Sequence, residues 1–574
     1  MTEPTSPSAD PVRIIPLGGT GEFGKNMYVV EQSGSMIVVD CGVTFPERDH
    51  LGIDLVLPDF SYVRARAAQL EGVVLTHPHE DHIGGLPFLV RDLRPAAPLA
   101  VHGSRYTLGL VRSKLDEHKL LGDVELIEVG PEHPVDIGPF RLSFESLRHS
   151  VPDCLAVALR TGVGTIVHTG DFRYEATAFS GEEEEHAKRT GRYMSLSRLG
   201  RLGDGGVRLL LGDSTGADVP LPKGKERDVH GAFRSLFASS DGRVIVTTFS
   251  SHIERVESVL RAAYADGRSV ALLGRSLLRN TNIAMNLGYL TPPADTLISP
   301  RELEHLPDDE QVIVCTGSQG EPLAALSRMA RGEHQLVEVR PGDTVVYSAR
   351  TVPGNELAIG DTINRLRGIG ARGITPGSGG AAFHVSGHAS AWELELMLQL
   401  LRPEHFAPVH GELRQQKAHA ELAAGLGIDD AHTHMLGNGD VLEVSEHGVA
   451  IVDHVPTGMT YVDRASPDDV GEEVLRDRRH LAEDGLVLVV ATISADDGAL
   501  VGDPDIVTRG FSGAEDEDLV DRVLAVVEKS LGESAEARIN EPLVLQHRIH
   551  DDVSKLLKRR FEQRPLVVPV VVEV

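Results

Sequence analysis

Cysteine, tryptophan and long apolar runs are all scarce in this chain of 574 residues. The three cysteines, Cys41, Cys154 and Cys315, are too few and too scattered for a disulfide framework or a cysteine-based zinc site. No apolar run approaches the ~20 residues that a membrane helix needs. The polar N-terminus lacks the basic and apolar regions of a signal peptide. The sequence therefore predicts a cytoplasmic protein without a membrane association.

Positive charge is also in short supply. Lys and Arg number 56 against 85 Asp and Glu, which gives a formal net charge of −29. An acidic surface repels nucleic acid at long range, so composition alone favours a soluble enzyme that acts on small molecules. The length exceeds what one hydrophobic core accommodates and predicts about three or four domains.

The pattern along the chain predicts α/β folding throughout. Short β-branched runs alternate with helical patterns from about Val12 to Ala158, as in a layered α/β domain. A second rhythm of strand, polar turn and helix begins near Val207 and predicts a doubly wound parallel sheet. A smaller α/β unit begins near Pro467.

A glycine-rich segment near the N-terminus has the spacing of a dinucleotide-binding fingerprint. Gly19, Gly21 and Gly24 follow a strand, and Asp40 ends another strand about twenty residues further on. The fingerprint requires a helix directly after the glycines, whereas NMYVVEQSGSMIVVD predicts strand, turn and strand. A turn between two strands is therefore favoured over a nucleotide site.

The segment THPHEDHIGG at 76–85 is the strongest sign of chemistry in the sequence. His77 and His79 are two apart in an extended segment, so both imidazoles can point to one side. Asp81 and His82 come from the following turn and helix start and can serve a second position nearby. Four ligand-type residues in six positions predict one or two metal sites, with zinc or manganese suited to this donor set.

Further strand ends supply the other ligands that two ions need. His149, Asp171 and His410 each follow a predicted strand, and a carboxylate at 171 can bridge two ions. Asp40 is better placed to orient the imidazoles than to bind metal directly. The predicted sets are His77, His79, His149 and Asp171 for one ion, and Asp81, His82, Asp171 and His410 for the other.

These motifs resemble the metallo-β-lactamase superfamily, its β-CASP branch, and within that branch the bacterial ribonuclease J family. The resemblance covers nearly the whole chain, because PLGGTGEFGKN, HSVPD, HTGDF, GRSLLRN, CTGSQGEPLAAL, HVSGHAS, PVHGELR and RPLVVPVVVEV match the family pattern in order. It implies an αββα sandwich with an inserted doubly wound β-CASP domain and a small C-terminal α/β domain. The implied boundaries are a disordered N-terminus at 1–10, the metallo-β-lactamase domain at 11–211 and 373–452, the β-CASP domain at 212–372, a linker at 453–466, and the C-terminal domain at 467–574.

The resemblance also implies a function. The family hydrolyses RNA phosphodiester bonds, as a 5′–3′ exonuclease and as an endonuclease, in rRNA processing and mRNA decay. It implies two Zn²⁺ per subunit, with Mn²⁺ or Mg²⁺ as alternatives, and RNA with a 5′-monophosphate as the favoured substrate. A homodimer or homotetramer and membership of an RNA-decay assembly follow from the same resemblance.

Catalytic and substrate-binding residues carry over where the motifs match. Asp81 is expected to take part in water activation, His388 is the candidate to protonate the leaving oxygen or stabilise the transition state, and the resemblance implies that Asp213 lies near the metal ions. The turn of HVSGHAS is suited to hold a terminal phosphate. The expected substrate contacts are His384, Ser386, Gly387, His388, Ser318 and Arg275.

Three positions depart from the family pattern. Pro78 stands where the family has Gly, but it carries no ligand. Gly216 stands where a polar Asn is usual, and Glu254 stands where His is usual. The last two departures affect the expected binding of RNA, whereas the expected metal ligands are all present.

Two rival functions stay open at this stage. A small-molecule metallo-hydrolase of the lactonase or thioesterase kind would share HxHxDH and the net acidity, but would not need the inserted domain. A catalytically weak paralogue could act as a scaffold for RNA decay, although every expected metal ligand is present. If the ribonuclease hypothesis holds, the acidity predicts capture of RNA in a narrow cleft and weak binding elsewhere.

Overall fold

The computed structural model describes residues 10–47, 50–175, 182–221, 226–352, 354–375, 383–463, 466–515 and 518–574. The N-terminal segment predicted to be disordered lies outside the described residues except for Asp10, as do residues 464 and 465 of the predicted linker. The chain divides into two compact units. One comprises Met1–Thr44 and Leu57–Met459, and the other comprises Phe45–Val56 and Thr460–Val574.

The described residues form both strands and helices, with runs of consecutive strands at β1–β4, β7–β11 and β19–β22. The strands are β1 Val12–Gly18, β2 Met27–Gln32, β3 Ser35–Val39, β4 Leu55–Pro58, β5 Leu70–Val74, β6 Leu99–Gly103, β7 Val124–Glu128, β8 Val135–Ile137, β9 Phe140–Leu147, β10 Cys154–Thr161, β11 Gly164–His168, β12 Leu209–Asp213, β13 Val244–Thr247, β14 Ser269–Leu273, β15 Gln311–Cys315, β16 Thr344–Tyr347, β17 Arg372–Ile374, β18 His405–Val409, β19 Asp440–Ser445, β20 Gly448–His454, β21 Met459–Asp463, β22 Ser466–Asp469, β23 Leu486–Ile493, β24 Asp505–Arg509 and β25 Leu566–Glu573. The helices are α1 Ser61–Ala65, α2 Glu80–Ile83, α3 Leu86–Leu93, α4 Arg105–Glu117, α5 Glu182–Arg189, α6 Leu196–Asp204, α7 Glu226–Ala238, α8 Ile253–Ala265, α9 Arg275–Asn286, α10 Pro300–Leu303, α11 Ala325–Ala330, α12 Glu356–Ile369, α13 Ala391–Leu401, α14 Leu413–Gly425, α15 Glu472–Glu483, α16 Leu519–Glu536 and α17 Pro542–Phe561.

Two sheets form the sandwich of the first unit. The eight-stranded sheet has the order β20-β19-β1-β2-β3-β5-β6-β7, and the six-stranded sheet has the order β18-β12-β11-β10-β9-β8. Buried side chains from both sheets, such as Ile14, Val39, Phe144 and Leu211, form one apolar cluster between them. The strand, turn and strand predicted after the glycine-rich segment is confirmed, because β2 and β3 pair antiparallel.

Parallel pairing brings the carboxyl ends of several strands to common edges. In the six-stranded sheet β11 pairs parallel with β12, and β12 pairs parallel with β18. In the eight-stranded sheet β3 pairs parallel with β5. β12 and β18 are buried at every position. Burial on both faces of a sheet explains why the sequences of such strands are mostly apolar. The residues that follow these strands are therefore neighbours in space although they are distant in sequence.

The inserted region contains a separate parallel sheet in the order β14-β15-β13-β16-β17. Its first four strands in chain order, β13–β16, are mostly apolar runs of four or five residues, and β17 has three. Helices such as α11 and α12 cover the sheet through Leu326, Met329 and Leu366. Arg275 follows β14 and Ser318 follows β15, and these strands are parallel neighbours. The predicted α/β fold class with an inserted doubly wound sheet is confirmed.

The second unit has its own core. β23 pairs antiparallel with β24 and parallel with β25, and α16 and α17 pack on this sheet through the cluster that includes Val523, Val527, Ile549 and Val553. Within the part of the chain that the structure describes, no helix is long and apolar enough to cross a bilayer.

Candidate metal centre and active site

One buried carboxylate lies at the centre of a ring of imidazoles. Asp171 lies three residues after β11, and its Oδ2 atom lies within 4 Å of a nitrogen of five histidines, of which two come from the segment after β5 and three from elsewhere in the chain. The distances from Asp171 Oδ2 are 3.5 Å to His77 Nε2, 3.4 Å to His82 Nε2, 3.8 Å to His149 Nε2, 3.5 Å to His410 Nε2 and 3.9 Å to His388 Nδ1. The strand-end residues named from the sequence are thus brought together.

Three imidazole nitrogens converge on one side of Asp171. His79 Nδ1 lies 3.1 Å from His77 Nε2 and 3.1 Å from His149 Nε2. Tetrahedral zinc with Zn–N bonds of about 2.0–2.1 Å would hold its ligand nitrogens about 3.3 Å apart. Burial lowers the pKa of all three imidazoles, to about 4 for His79, so each is in the neutral form that binds metal. This group fits one cation.

A second group shares Asp171 with the first. One ligand atom each from Asp81, His82, Asp171 and His410 falls within 4.8 Å of the others. Burial opposes protonation of His82, but Asp171, Asp81 and Asp40 outweigh it and raise the His82 pKa, so this pocket favours positive charge. Asp171 Oδ1 is buried without a hydrogen-bond partner in the described residues. A buried carboxylate oxygen of this kind fits a bound cation.

His388 and Asp213 form a pair beside the two groups. His388 Nδ1 lies 2.9 Å from Asp213 Oδ2. Burial opposes protonation of His388, but the carboxylates of Asp213 and Asp171 outweigh it and raise the His388 pKa to about 9. The backbone N–H of Thr215 donates to Asp213 Oδ1 at 2.9 Å, which fixes the carboxylate. Because Asp213 occupies Nδ1, Nε2 is the ring nitrogen left for a substrate.

Asp40 contacts a histidine of the site rather than the cluster centre. Asp40 Oδ2 accepts from His82 Nδ1 at 2.7 Å, while the backbone N–H and the hydroxyl of Thr76 both donate to the carboxylate at 2.8 Å. Asp40 has a φ of 60°, an uncommon left-handed conformation for a residue other than glycine. The Thr76 hydroxyl also lies 3.0 Å from His77 Nδ1. Thr76 is thus a link between Asp40 and His77 that the spacing of the motif did not reveal.

The glycine-rich turn contributes Asn26, which sequence reasoning missed. The Asn26 amide oxygen accepts from His410 Nδ1 at 2.9 Å, and its NH₂ group donates to the Asp81 carbonyl at 3.1 Å. The carbonyl of Gly19 accepts from the His410 backbone N–H at 2.9 Å. The turn after β1 therefore holds two candidate ligands in place instead of a nucleotide. Its only signal in the sequence is an Asn two residues after the last glycine of this turn.

The turn at 384–388 contacts the first group directly. The Gly387 carbonyl lies 2.6 Å from His149 Nδ1, and a Cβ at Gly387 would lie 2.7 Å from His149 Cε1, so only glycine allows this approach. Ser386 Oγ accepts from the His388 backbone N–H at 3.1 Å. The His384 ring lies 6.4 Å from the His252 ring, beside the inserted domain.

The two other expected substrate contacts lie on the inserted sheet. Arg275 begins α9 and Ser318 lies in the turn after β15, so both are at the carboxyl edge of the sheet. Only 3% of Ser318 is exposed, so a direct contact with RNA would require this turn to open. Their contact with RNA stays a prediction.

The two departures from the family pattern have local explanations. A Cβ at Gly216 would lie 2.0 Å from the Ala389 carbonyl oxygen, so the backbone of the neighbouring turn fills the space of a side chain. Glu254, on the first turn of α8, accepts from Arg148 at 2.7 Å and from Arg173 at 3.1 Å. Glu175 contacts the same two arginines. Sequence spacing gave no sign of this four-residue ion-pair cluster.

Replacing Glu254 by Gln should destabilise the first unit. Arg148 and Arg173 are only 4% and 3% exposed, and the substitution removes a carboxylate that both of them contact. Removing one partner of a buried ion pair costs about 3–5 kcal/mol of unfolding free energy, and urea denaturation measures the loss. Glu132→Gln is the matched control, because Glu132 pairs with Arg198 but is 79% exposed. The control should cost at most about 1 kcal/mol, and equal losses in the two variants would contradict the assignment.

Comparison with known families first defines the class of enzyme. Residues 20–215 match the family described as "Metallo-beta-lactamase superfamily", and residues 381–434 match "Zn-dependent metallo-hydrolase RNA specificity domain". Together with the buried His and Asp cluster, these matches define a metallo-hydrolase that uses a divalent metal. Residues 241–366 match "Ribonuclease J, beta-CASP domain", and residues 473–574 match "Ribonuclease J C-terminal domain".

Full-length relatives then identify the family. The chain is 37% identical to ribonuclease J of Corynebacterium glutamicum, over 100% of this chain and 77% of the relative. It is 39% identical to ribonuclease J of Thermus thermophilus, over 98% of this chain and 96% of the relative. The chain belongs to the ribonuclease J family, as the motifs predicted. A crystal structure of a protein of unknown function from Enterococcus faecalis shares the fold over 75% of this chain and 100% of its own, with a TM-score of 0.51 and 14% identity.

Proposed function

We propose that the strand-end cluster is the active site of a ribonuclease that holds two Zn²⁺ ions and cleaves RNA both from the 5′ end and internally. The protein is a metal-dependent ribonuclease by family. The observation that carries the assignment of the site is the position of Asp171 Oδ2 within 4 Å of five imidazole nitrogens. One ion would be held by His77, His79, His149 and Asp171. The other would be held by Asp81, His82, Asp171 and His410.

The chemistry is hydrolysis of a phosphodiester bond. Two bound divalent ions would activate a water molecule and neutralise charge that develops on the phosphate. Asp81 is one-third exposed, so its carboxylate can accept a proton from the attacking water at the open side of the site. His388, protonated and held at Nδ1 by Asp213, donates from Nε2 to the leaving oxygen. The same residues would also bind Mn²⁺ or Mg²⁺ in place of Zn²⁺.

The turn at 386–388 supports a preference for a 5′-monophosphate. Its backbone lies against His149, so a terminal phosphate held here would place the first phosphodiester bond beside the cluster. Arg275, Ser318 and His384 would contact the RNA further along the inserted sheet. The inserted domain and the match to an RNA specificity domain favour RNA over the lactones or thioesters of a small-molecule hydrolase. The complete ligand set argues against a catalytically weak scaffold.

End-labelled RNA tests this function. Purified protein with zinc should release labelled mononucleotide first from RNA that carries a labelled 5′-monophosphate, and more slowly from RNA with a 5′-triphosphate. RNA labelled at the 3′ end should shorten without early release of its label, with discrete fragments wherever internal cleavage occurs. Hydrolysis of lactone or thioester substrates in the absence of any RNA cleavage would overturn the proposal in favour of the small-molecule function.

The location, subunit number and domain boundaries proposed here are those that membership of the ribonuclease J family suggests. We propose a cytoplasmic homodimer or homotetramer, with a place in an RNA-decay assembly. The proposed domain division is 11–211 and 373–452 for the metallo-β-lactamase domain, 212–372 for the β-CASP domain and 467–574 for the C-terminal domain. Light scattering of the purified protein measures the subunit number directly.

Asp40→Asn should weaken zinc binding without removing a ligand. The carboxylate accepts from the Thr76 backbone N–H at Oδ1 and from His82 Nδ1 and the Thr76 hydroxyl at Oδ2, whereas an amide has one accepting oxygen and would turn its NH₂ group toward one of these donors, so the His82 ring loses its fixed orientation. Loss of such a supporting hydrogen bond lowers metal affinity about 10–100-fold, and competition with a chromogenic chelator measures it. Asp123→Asn, at an exposed turn, is the control and should bind zinc like the wild type. Equal affinity in the two variants would show that Asp40 does not orient His82.

A further inference from the structure

Four arginines line one cavity on the six-stranded sheet. The cavity has a volume of about 430 Å³, and its lining comes from β9, β10, α6 and the loop before β8. Arg141 of β9 and Arg160 of β10 stand directly opposite each other in the antiparallel pairing. Arg198 and Arg201 both belong to α6. A chain with 85 acidic and 56 basic residues thus concentrates positive charge in this cavity.

Arg198 fixes α6 over this part of the sheet. Its Nε atom donates to Glu145 Oε2 at 2.6 Å, its Nη1 atom donates to Glu132 Oε1 at 2.6 Å, and its Nη2 atom donates to the Pro131 carbonyl at 2.8 Å. All three guanidinium nitrogens of Arg198 therefore have partners within the chain. Arg201 is three residues further on and lies on the same side of the helix, so α6 holds it at the cavity.

The other three arginines have no such partners. Among the described residues, no carboxylate lies within ion-pair distance of Arg141, Arg160 or Arg201, and their guanidinium groups make no hydrogen bond. All three side chains are exposed and therefore accessible to a ligand. Directly opposite residues on antiparallel strands have Cβ atoms about 4.5–5.5 Å apart, and like charges at such positions destabilise the pair. A bound anion would remove this repulsion.

The acidic side chains near the cavity restrict which anion can enter it. Of the lining residues, Glu145 is acidic, and Arg198 binds it. Asp136 of β8 is the cross-strand neighbour of Arg141, and Glu132 is 79% exposed. These carboxylates repel a long polyanion that would lie across the opening. A small anion that fits inside the cavity avoids most of this repulsion.

We propose that this cavity binds the diphosphate or triphosphate group of a small molecule, of which a nucleoside diphosphate is the representative, between Arg141, Arg160 and Arg201. Planar guanidinium groups match phosphate oxygens in bidentate geometry, and three of them balance the charge of a diphosphate. The volume is in the range of small-molecule sites. Leu142 and Leu202 in the lining offer apolar surface to the nucleoside.

The cavity lies toward the opposite end of the sheet from the metal centre. Arg141 is the second residue of β9, and the candidate ligand His149 comes two residues after the end of that strand. At about 3.3 Å per residue, the strand from Arg141 to Leu147 alone spans about 20 Å. A ligand in the cavity would therefore stabilise the sandwich without contact with the metal ions, and its binding does not depend on the ribonuclease assignment.

Calorimetric titration of the full-length, zinc-loaded protein with ADP and with inorganic pyrophosphate tests this site. The double variant Arg141→Gln, Arg160→Gln should bind ADP about 100-fold more weakly than the wild type, because each hydrogen-bonded contact to a charged group contributes about tenfold or more. Arg301→Gln, Arg365→Gln is the matched control, since both arginines are exposed and lie on the inserted domain, and it should bind ADP like the wild type. Tighter binding of ADP than of pyrophosphate would support a nucleotide, and equal binding would support recognition of the phosphate groups alone.

Two further measurements separate binding from folding and from contact with RNA. Without ligand, the Arg141→Gln, Arg160→Gln variant should resist urea at least as well as the wild type, because it loses a pair of like charges. Saturating ADP should raise the melting temperature of the wild type and not of this variant, and the KM for RNA cleavage should be the same in both.

Equal ADP affinity in the wild type and the double variant would overturn the proposal, because the nucleotide would then be bound elsewhere, such as at the metal ions. Failure of the wild type to bind either probe would also overturn it. A raised KM for RNA in the double variant, with unchanged ADP affinity, would contradict it by showing that these arginines contact the RNA chain instead.

Discussion

Replacing His77 and His79 together by Ala is expected to reduce RNA cleavage by about 10³-fold or more. Both rings point at the same centre, with His79 Nδ1 3.1 Å from His77 Nε2 and 3.1 Å from His149 Nε2. A Lewis acid contributes several kcal/mol to the stabilisation of charge in the transition state. Loss of about 4 kcal/mol corresponds to about 10³-fold in rate. Single-turnover cleavage of 5′-labelled RNA measures the change.

The control must separate loss of metal from loss of fold. His305→Ala removes an exposed histidine and should cleave RNA like the wild type. Circular dichroism and the urea midpoint of the double variant, compared with metal-stripped wild type, report whether the sandwich is intact. Cleavage by a folded double variant at the wild-type rate would contradict the assignment of these two ligands.

His388→Ala is expected to lower kcat by about 10²–10⁴-fold, the usual contribution of a general acid. Its Nδ1 is held by Asp213 at 2.9 Å, and the neighbouring carboxylates raise the His388 pKa to about 9, so the ring is protonated at neutral pH. Zinc content should be unchanged because His388 is not among the proposed ligands. Asp213→Asn should give a smaller loss, since the imidazole is then present but less well oriented.

The leaving group distinguishes proton donation from simple positioning. The alkoxide released from RNA needs a proton, whereas the nitrophenolate released from bis(p-nitrophenyl) phosphate does not. His388→Ala should therefore lose far less activity on the nitrophenyl ester than on RNA. Equal losses on both substrates would show that His388 stabilises charge or positions the phosphate instead of protonating the leaving oxygen.

The proximity of the proposed metal ligands was largely predictable because these residues lie near strand ends. A strand has a short apolar run as its sequence pattern, and a polar ligand-type residue stands within three positions of its end, as with His77, Asp171 and His410. Parallel pairing of β11, β12 and β18 then brings such residues to a common edge. Spacing within HxHxDH adds local geometry. Residues near strand ends, parallel strand pairing and motif spacing can all be inferred from the sequence once the fold class is known.

Contacts that depend on the packing of distant segments were not predictable in this way. Asn26 contacts His410 across 384 positions, and Arg148 contacts Glu254 across 106. Asn26 stands in the motif PLGGTGEFGKN and Glu254 departs from the family pattern, but neither pattern names the partner of the contact, so only the packed structure reveals these two contacts. Gly216 is similar, because the meaning of its missing side chain depends on where the Ala389 carbonyl lies.

The charged residues around the proposed active site matter more for RNA binding than the net charge of the protein. Arg148 and Arg173, beside the site, are neutralised by Glu175 and Glu254 and offer little attraction to RNA. Asp40, Asp81, Asp171 and Asp213 add four carboxylates, which two divalent cations would balance. Attraction of RNA would then depend on the bound ions and on the protonated His388 rather than on the net charge of −29.

Anomalous X-ray scattering at the zinc edge, from crystals grown with Zn²⁺, tests the central claim most directly. We expect two peaks about 3.5–4 Å apart, as in two-metal hydrolases. One should lie among His77, His79 and His149, the other among Asp81, His82 and His410, with Asp171 between them. A single peak, or the absence of any peak within reach of Asp171 in crystals of protein that cleaves RNA, would contradict a two-metal active site.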